Sequence, residues 1–281
     1  MQFRDRTLDK TLFIVAVVFA IVRSLWVLRS SYFGGGSSFV PEGADGAIGA
    51  EQVFDDALAE RVRFDATGWT FVSRDDRTWL WCDELANMLG LQVIARNLGP
   101  VEPDFDVVSY CRENMSFGSS LVEARLAQVN AFRGFVYIEK SERPPGYAYV
   151  GRLHVLLGQQ TVVCSVVANE RGVTGIREAT VVPEALKEGR ITIPTPTSSG
   201  TKVPGWFVDP CDPTRNHRTI CSIADDPKYD ARFPGHPLSR IRQTLGQIEA
   251  SFQIRSAVPE PGDPWPHPPL TASDDQPATI H

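Results

Sequence analysis

Apolar residues run unbroken from residue 12 to residue 22 as LFIVAVVFAIV, and after Arg23 the run resumes as SLWVL. About 20 apolar residues are needed to cross a hydrocarbon core, so residues 1–29 are expected to form one transmembrane helix that acts as a membrane anchor. The span 11–28 is slightly short and carries Arg23 two-thirds of the way along, from where a guanidinium can snorkel to the headgroups; Trp26 suits the same interface, and Arg23 and Arg29 are dissenting charges. Arg4, Arg6 and Lys10 precede the run, and after Arg29 the next basic residue is Arg61. That asymmetry predicts a single-pass protein with its N-terminus in the cytoplasm and the rest extracytoplasmic. Two other readings stay open. A cleaved signal peptide would need a small-residue site soon after the apolar core, which RSSYFGGG does not supply. A run this short also occurs in buried helices of soluble proteins.

Behind the anchor, residues 30–50 are rich in Gly, Ser and Ala and read as a flexible tether. Residues 50–64 carry a partial helical stripe. Residues 69–72 and 78–81 are short and aromatic, like strands around the RDDR turn at 74–77. Residues 82–89 read as helix, with Gly90 as its stop, and 91–95 as strand. Residues 120–129 then alternate, with Val122, Ala124 and Leu126 on one side and Glu123, Arg125 and Ala127 on the other. GFVYIE (134–139), YAYVGRLHVLL (147–157) and TVVCSVVA (161–168) follow, joined by short turns, which predicts an antiparallel meander of four strands. The last of these is apolar on both faces and belongs in the middle of the sheet. Residues 176–182 read as strand or helical turn, and 183–189 as a short helix. Near the end, Leu238, Ile241, Leu245, Ile248 and Phe252 share one helical stripe, with Pro237 in the first turn. Residues 256–281 are too rich in proline and polar residues to pack and are expected to be disordered.

The fold class expected is therefore α+β: an antiparallel sheet meander flanked by helices over residues 51–255, after one N-terminal transmembrane helix. The chain has 281 residues and a net charge of −6, and no basic stripe, which argues against nucleic acid as its partner.

Residues 110–182 carry a texture of their own: ENMSFGSSLVEARLAQVNAFRGFVYIEKSE, the strand pair after it, and NERGVTGIREATVV. This stretch, about a quarter of the chain, resembles the core of the PsbP/DcrB-like proteins. The resemblance implies a mixed α/β sandwich with an antiparallel sheet. It also implies a small extracytoplasmic accessory or binding module, of a kind that is often not an enzyme. It carries over no functional residue.

Candidate chemistry is sparse. A nucleophile elbow, a P-loop, a dinucleotide fingerprint and a zinc-protease motif are all missing from the sequence. No cofactor and no metal set is called. Five cysteines are present, and Cys211 and Cys221 flank the loop PCDPTRNHRTIC. They are read as a disulfide that staples the loop, as zinc ligands with His217, or as two unlinked thiols. Asp225, Asp226 and Asp230 crowd a loop that is expected to be solvated. The loop after the central strand, ERGVTGIRE, is the first place to look for a ligand, with Arg177 as an anion contact and Glu178 as its partner. The leading function is a membrane-anchored, non-enzymatic accessory or binding protein whose partner is another envelope protein or a small ligand. The alternatives are a hydrolase-like enzyme that gathers His154, Glu178 and the Asp225 loop into one pocket, and a cytoplasm-facing scaffold.

Overall fold

Period-two alternation with short turns builds the centre of the molecule. In a computed structural model, residues 57–75, 78–95, 105–193 and 203–255 are described. The expected anchor (1–29), tether (30–50) and tail (256–281) lie outside the described residues. Among the described residues, no helix is long and apolar enough to cross a membrane.

The strands are β1 (Val62–Arg63), β2 (Thr70–Arg74), β3 (Thr78–Cys82), β4 (Met88–Ala95), β5 (Ser120–Val129), β6 (Phe132–Arg143), β7 (Gly146–Leu157), β8 (Gln160–Asn169) and β9 (Gln253–Ile254). Seven form one antiparallel sheet in the order β2-β3-β4-β8-β7-β6-β5. The meander β5 to β8 is the one expected. β8 is the fourth of the seven strands, because its valines must be covered on both faces. β1 and β9 pair separately.

The helices are α1 (Leu58–Arg61), α2 (Val107–Asn114), α3 (Ile176–Lys187) and α4 (Pro237–Ser251). α4 buries Leu238, Ile241, Leu245 and Ile248, with Phe252 just past its end, against Val136, Ile138, Leu153 and Val155 of the sheet. Full burial of each such side chain contributes about 1.5–3 kcal/mol. Gly151 makes this contact possible: a methyl group there would meet Ile241 and come within 2.7 Å of Leu245. Phe135 and Tyr137, which alternate with Val136 and Ile138, point to the opposite face, where α2 covers them. The expected α+β fold is thus present, with helices on both faces. A third cluster joins Val181 of α3 to Ala224 and Tyr229 in the 3₁₀ turns Ile223–Asp225 and Pro227–Arg232.

Several local expectations are corrected. Residues 82–89 are not a helix. Cys82 ends β3, and the Asp83 carboxylate accepts from the backbone N–H groups of Leu85 and Asn87 and from the Asn87 side chain. A turn stabilised this way competes with helix, and β4 begins at Met88 with Gly90 inside it. The helix expected up to residue 64 gives way to strand at Val62. The segments expected at 176–182 and 183–189 are joined in one helix, Ile176–Lys187, that runs through Pro183 and is held by buried Val181 and Ala185 on either side of the lost hydrogen bond. A bulge between Leu121 and Glu123 shifts the phase of β5. Ala127 and Val129 therefore join Val122 in the main core, while Leu126 is exposed.

Candidate functional site

Charged side chains from β6, the residue after β8, α3 and the loops before α4 meet at one end of the sheet, on the face that α4 covers. Lys140 of β6 stands opposite Tyr149 of β7 in the register. Its side chain is 1% exposed, and its Nζ lies over the Tyr147 ring at 4.1 Å. Nζ donates to Asp225 at 2.9 and 3.1 Å. Asp225 is held by a capping box with Ser222 at the turn Ile223–Asp225. Burial alone would lower the Lys140 pKa, but the Asp225 and Glu178 carboxylates outweigh it and hold the pKa above its ordinary value. The acidic loop expected to be solvated is thus anchored: Asp225 is buried, and Asp230 pairs with Arg177 and Arg242.

Glu178, in the first turn of α3, sends Oε1 to 3.7 Å from Lys140 Nζ. Both of its oxygens are buried with no hydrogen-bond partner. Glu170, just past β8, accepts from the Tyr147 backbone N–H at 3.1 Å and meets His236 Nε2 at 3.2 Å. Gly146 leaves room for that carboxylate, since a Cβ there would collide with Glu170 and approach Thr174 to 2.8 Å. His236 is the N-cap of α4: its Nδ1 accepts from the Leu238 N–H at 3.2 Å. With Nδ1 facing the Leu238 N–H, the other ring nitrogen, Nε2, is the one turned to Glu170. Burial raises the Glu170 pKa, and the His236 and Tyr147 hydrogen bonds more than reverse that, leaving it below the ordinary value. The Tyr149 hydroxyl is buried without a partner. Its pKa is pushed well up, by burial first and then by Asp225, Glu178 and Glu170. The carboxylates of Glu170 and Glu178 and the imidazole of His236 offer ligand atoms that all lie within 4.8 Å of one another.

The residues anticipated from the sequence divide. Glu178 stands in this cluster. Arg177 is fully buried and not open to an anion. Its guanidinium donates to Ala224 O, Asp226 O, Ser239 Oγ and Asp230 Oδ1 at 2.6–3.0 Å, so it clamps α3 to the loops before α4. The ion pair of Glu178 is with Lys140, not with its neighbour Arg177. His154 lies on the opposite face of the sheet, stacked on Phe135 at 4.4 Å. Burial, with Arg152 assisting, pushes its pKa down to about 3. The enzyme arrangement of His154, Glu178 and Asp225 in one pocket is therefore not assembled. Cys211 and Cys221 are both free and pack in different clusters, Cys211 beside the Phe135 group and Cys221 in the main core. Glu170 opens the loop singled out from the sequence, but Lys140 and Tyr149 were missed. Each sits in or beside a strand whose apolar pattern draws attention away from a polar member.

No family model matches the chain, and no curated protein matches it. Solved structures do. Cyanobacterial PsbP (CyanoP) from Synechocystis is 9% identical, the match covering 53% of this chain and 97% of that one, with a TM-score of 0.31. A Bacteroides thetaiotaomicron protein is 11% identical, with 41% of each chain covered and a TM-score of 0.29. The chain thus spans about two fifths of that protein's length. A Pseudomonas aeruginosa protein of unknown function is 9% identical, with 46% of this chain and 99% of that one covered and a TM-score of 0.23. The chain has a weak PsbP-like resemblance.

Proposed function

We propose that this chain is a membrane-anchored, non-enzymatic accessory or binding protein. Its α+β domain faces the side of the membrane opposite the N-terminus and takes another envelope protein or a small ligand as partner. The observation that carries the binding role is the Glu178 carboxylate, buried without a hydrogen bond beside Glu170 and His236. A fold does not keep such a group without cost, and a ligand would satisfy it. The apolar run 12–28, with Arg4, Arg6 and Lys10 before it, supports the anchoring and the orientation.

Membrane fractionation tests the anchoring. The full chain is expected to stay with membranes through an alkaline carbonate wash, and a chain lacking residues 1–29 is expected in the soluble fraction with the same thermal unfolding of its domain. Release of the full chain by carbonate would overturn the anchor.

A further inference from the structure

Three elements aim ligand atoms at one corner: Glu170 follows β8, Glu178 opens α3, and His236 caps α4. Two features set this corner apart from an ordinary acidic surface. Tyr149, with no residual exposure and its ring edge-on to the His236 imidazole at 5.5 Å, buries a hydroxyl that has no partner. Glu178 buries two oxygens that have no partner. The surrounding cations are already taken: Lys140 bonds to Asp225, Arg177 to Asp230, and Arg242 to Asp230 and Glu123. Glu178 faces the Lys140 ammonium at 3.7 Å, beyond hydrogen-bond reach, and Glu170 meets His236 Nε2 at 3.2 Å.

We infer that Glu170, Glu178 and His236 bind one divalent transition-metal cation of the zinc class, with the Tyr149 hydroxyl bonded to a water on the metal. Two carboxylates and an imidazole suit a borderline cation, and three protein ligands leave a position open for water or a ligand. The Glu170 oxygen that accepts from Tyr147 N–H keeps that carboxylate oriented. Metal–ligand bonds of about 2.0–2.2 Å place ligand atoms roughly 3.5 Å apart, so Glu170 and His236, now 3.2 Å apart, part slightly on loading while Glu178 moves in. A metal on Nε2 leaves the ring proton on Nδ1, so the Leu238 cap bond is released. A single cap bond is a small cost beside metal ligation. The inference rests on reading this corner as the binding site, and it names the ligand.

The test uses the untagged full chain in detergent, stripped with chelator and dialysed against micromolar buffered Zn²⁺, with bound metal counted by mass spectrometry. One equivalent is expected. Glu178→Gln removes a ligand charge while Lys140 keeps Asp225. His236→Asn removes the ring nitrogen yet supplies a good N-cap. Each variant is expected to melt as the metal-free parent does and to bind Zn²⁺ at least tenfold more weakly. Co²⁺ substitution is expected to give a visible absorption band in the parent that both variants lose. No bound Zn²⁺, a preference for Ca²⁺ over Zn²⁺, or the same Zn²⁺ affinity in parent and variants (metal held instead by His217, His267 or His281) would each overturn the site. Because carbonate fractionation does not depend on metal, a failed zinc site and a failed anchor are told apart.

Discussion

Glu178 Oε1 stands 3.7 Å from Lys140 Nζ, whereas Lys140 gives its hydrogen bonds to Asp225 at 2.9 and 3.1 Å. The ammonium belongs first to Asp225, and Glu178 is held near it without being satisfied by it. This ordering makes the first pair structural and leaves the second carboxylate without a hydrogen bond.

The Lys140–Asp225 pair is buried on both sides, so removing one partner strands the other. Lys140→Met is expected to destabilise the domain by about 3–5 kcal/mol. Adding Asp225→Asn, which keeps the acceptor for Ser222 N–H and removes the stranded charge, is expected to recover part of that loss. Urea unfolding of the two variants and the parent measures both effects.

His154 makes the fold sensitive to acid. Its folded-state pKa of about 3 lies below the ordinary 6.5, so between those values the unfolded chain takes up a proton that the folded chain refuses. The stability is fully present above pH 6.5 and is lost as pH falls toward 3. By linkage, on the order of 3 kcal/mol is expected to disappear between pH 7 and pH 4. His154→Leu, similar in volume and without a titratable ring, is expected to flatten that stretch of the stability profile.

Gly151 is the point where α4 lies on β7. Gly151→Val forces side-chain carbons into Ile241 and Leu245 and is expected to cost about 1–3 kcal/mol. Denaturant unfolding is expected to show a lower midpoint with an unchanged slope, since the surface exposed on unfolding stays the same.

The cysteines are expected to react in two classes. Burial pushes the Cys111, Cys164 and Cys221 thiols up to about 12, so they carry almost no thiolate at neutral pH. Cys82 and Cys211 are only half-buried. A chromogenic disulfide reagent is expected to titrate no thiols beyond those two in the native protein, and all five of the chain's thiols in denaturant.

Much of the sheet was legible because its signals are local. The alternation in 120–157 and the short turns between runs set the meander. The two-sided apolar pattern of 161–168 set the central strand, and the stripe from Leu238 to Phe252 set α4. The turn at Asp83 was not legible, because one carboxylate bonding to Leu85 and Asn87 outweighs the helical propensity of its neighbours. The bulge in β5, which turns Leu126 outward, leaves no mark in composition. The site was half legible. A loop after the central strand pointed to Arg177 and Glu178, but their roles depend on partners far along the chain. Lys140 and Asp225 are 85 residues apart, and Glu170 and His236 are 66 apart. No spacing rule connects such pairs before the fold does.

The orientation of the domain is the central claim, and Phe117 gives the most direct access to it because its side chain is fully exposed at a turn before β5. With Cys82 and Cys211 changed to serine and Phe117→Cys introduced, a membrane-impermeant maleimide is applied to intact cells, with the outer barrier made permeable where the cell has one. Labelling of position 117 without lysis is the result expected of an extracytoplasmic domain. Labelling only after the inner membrane is broken would place the domain in the cytoplasm and contradict the account.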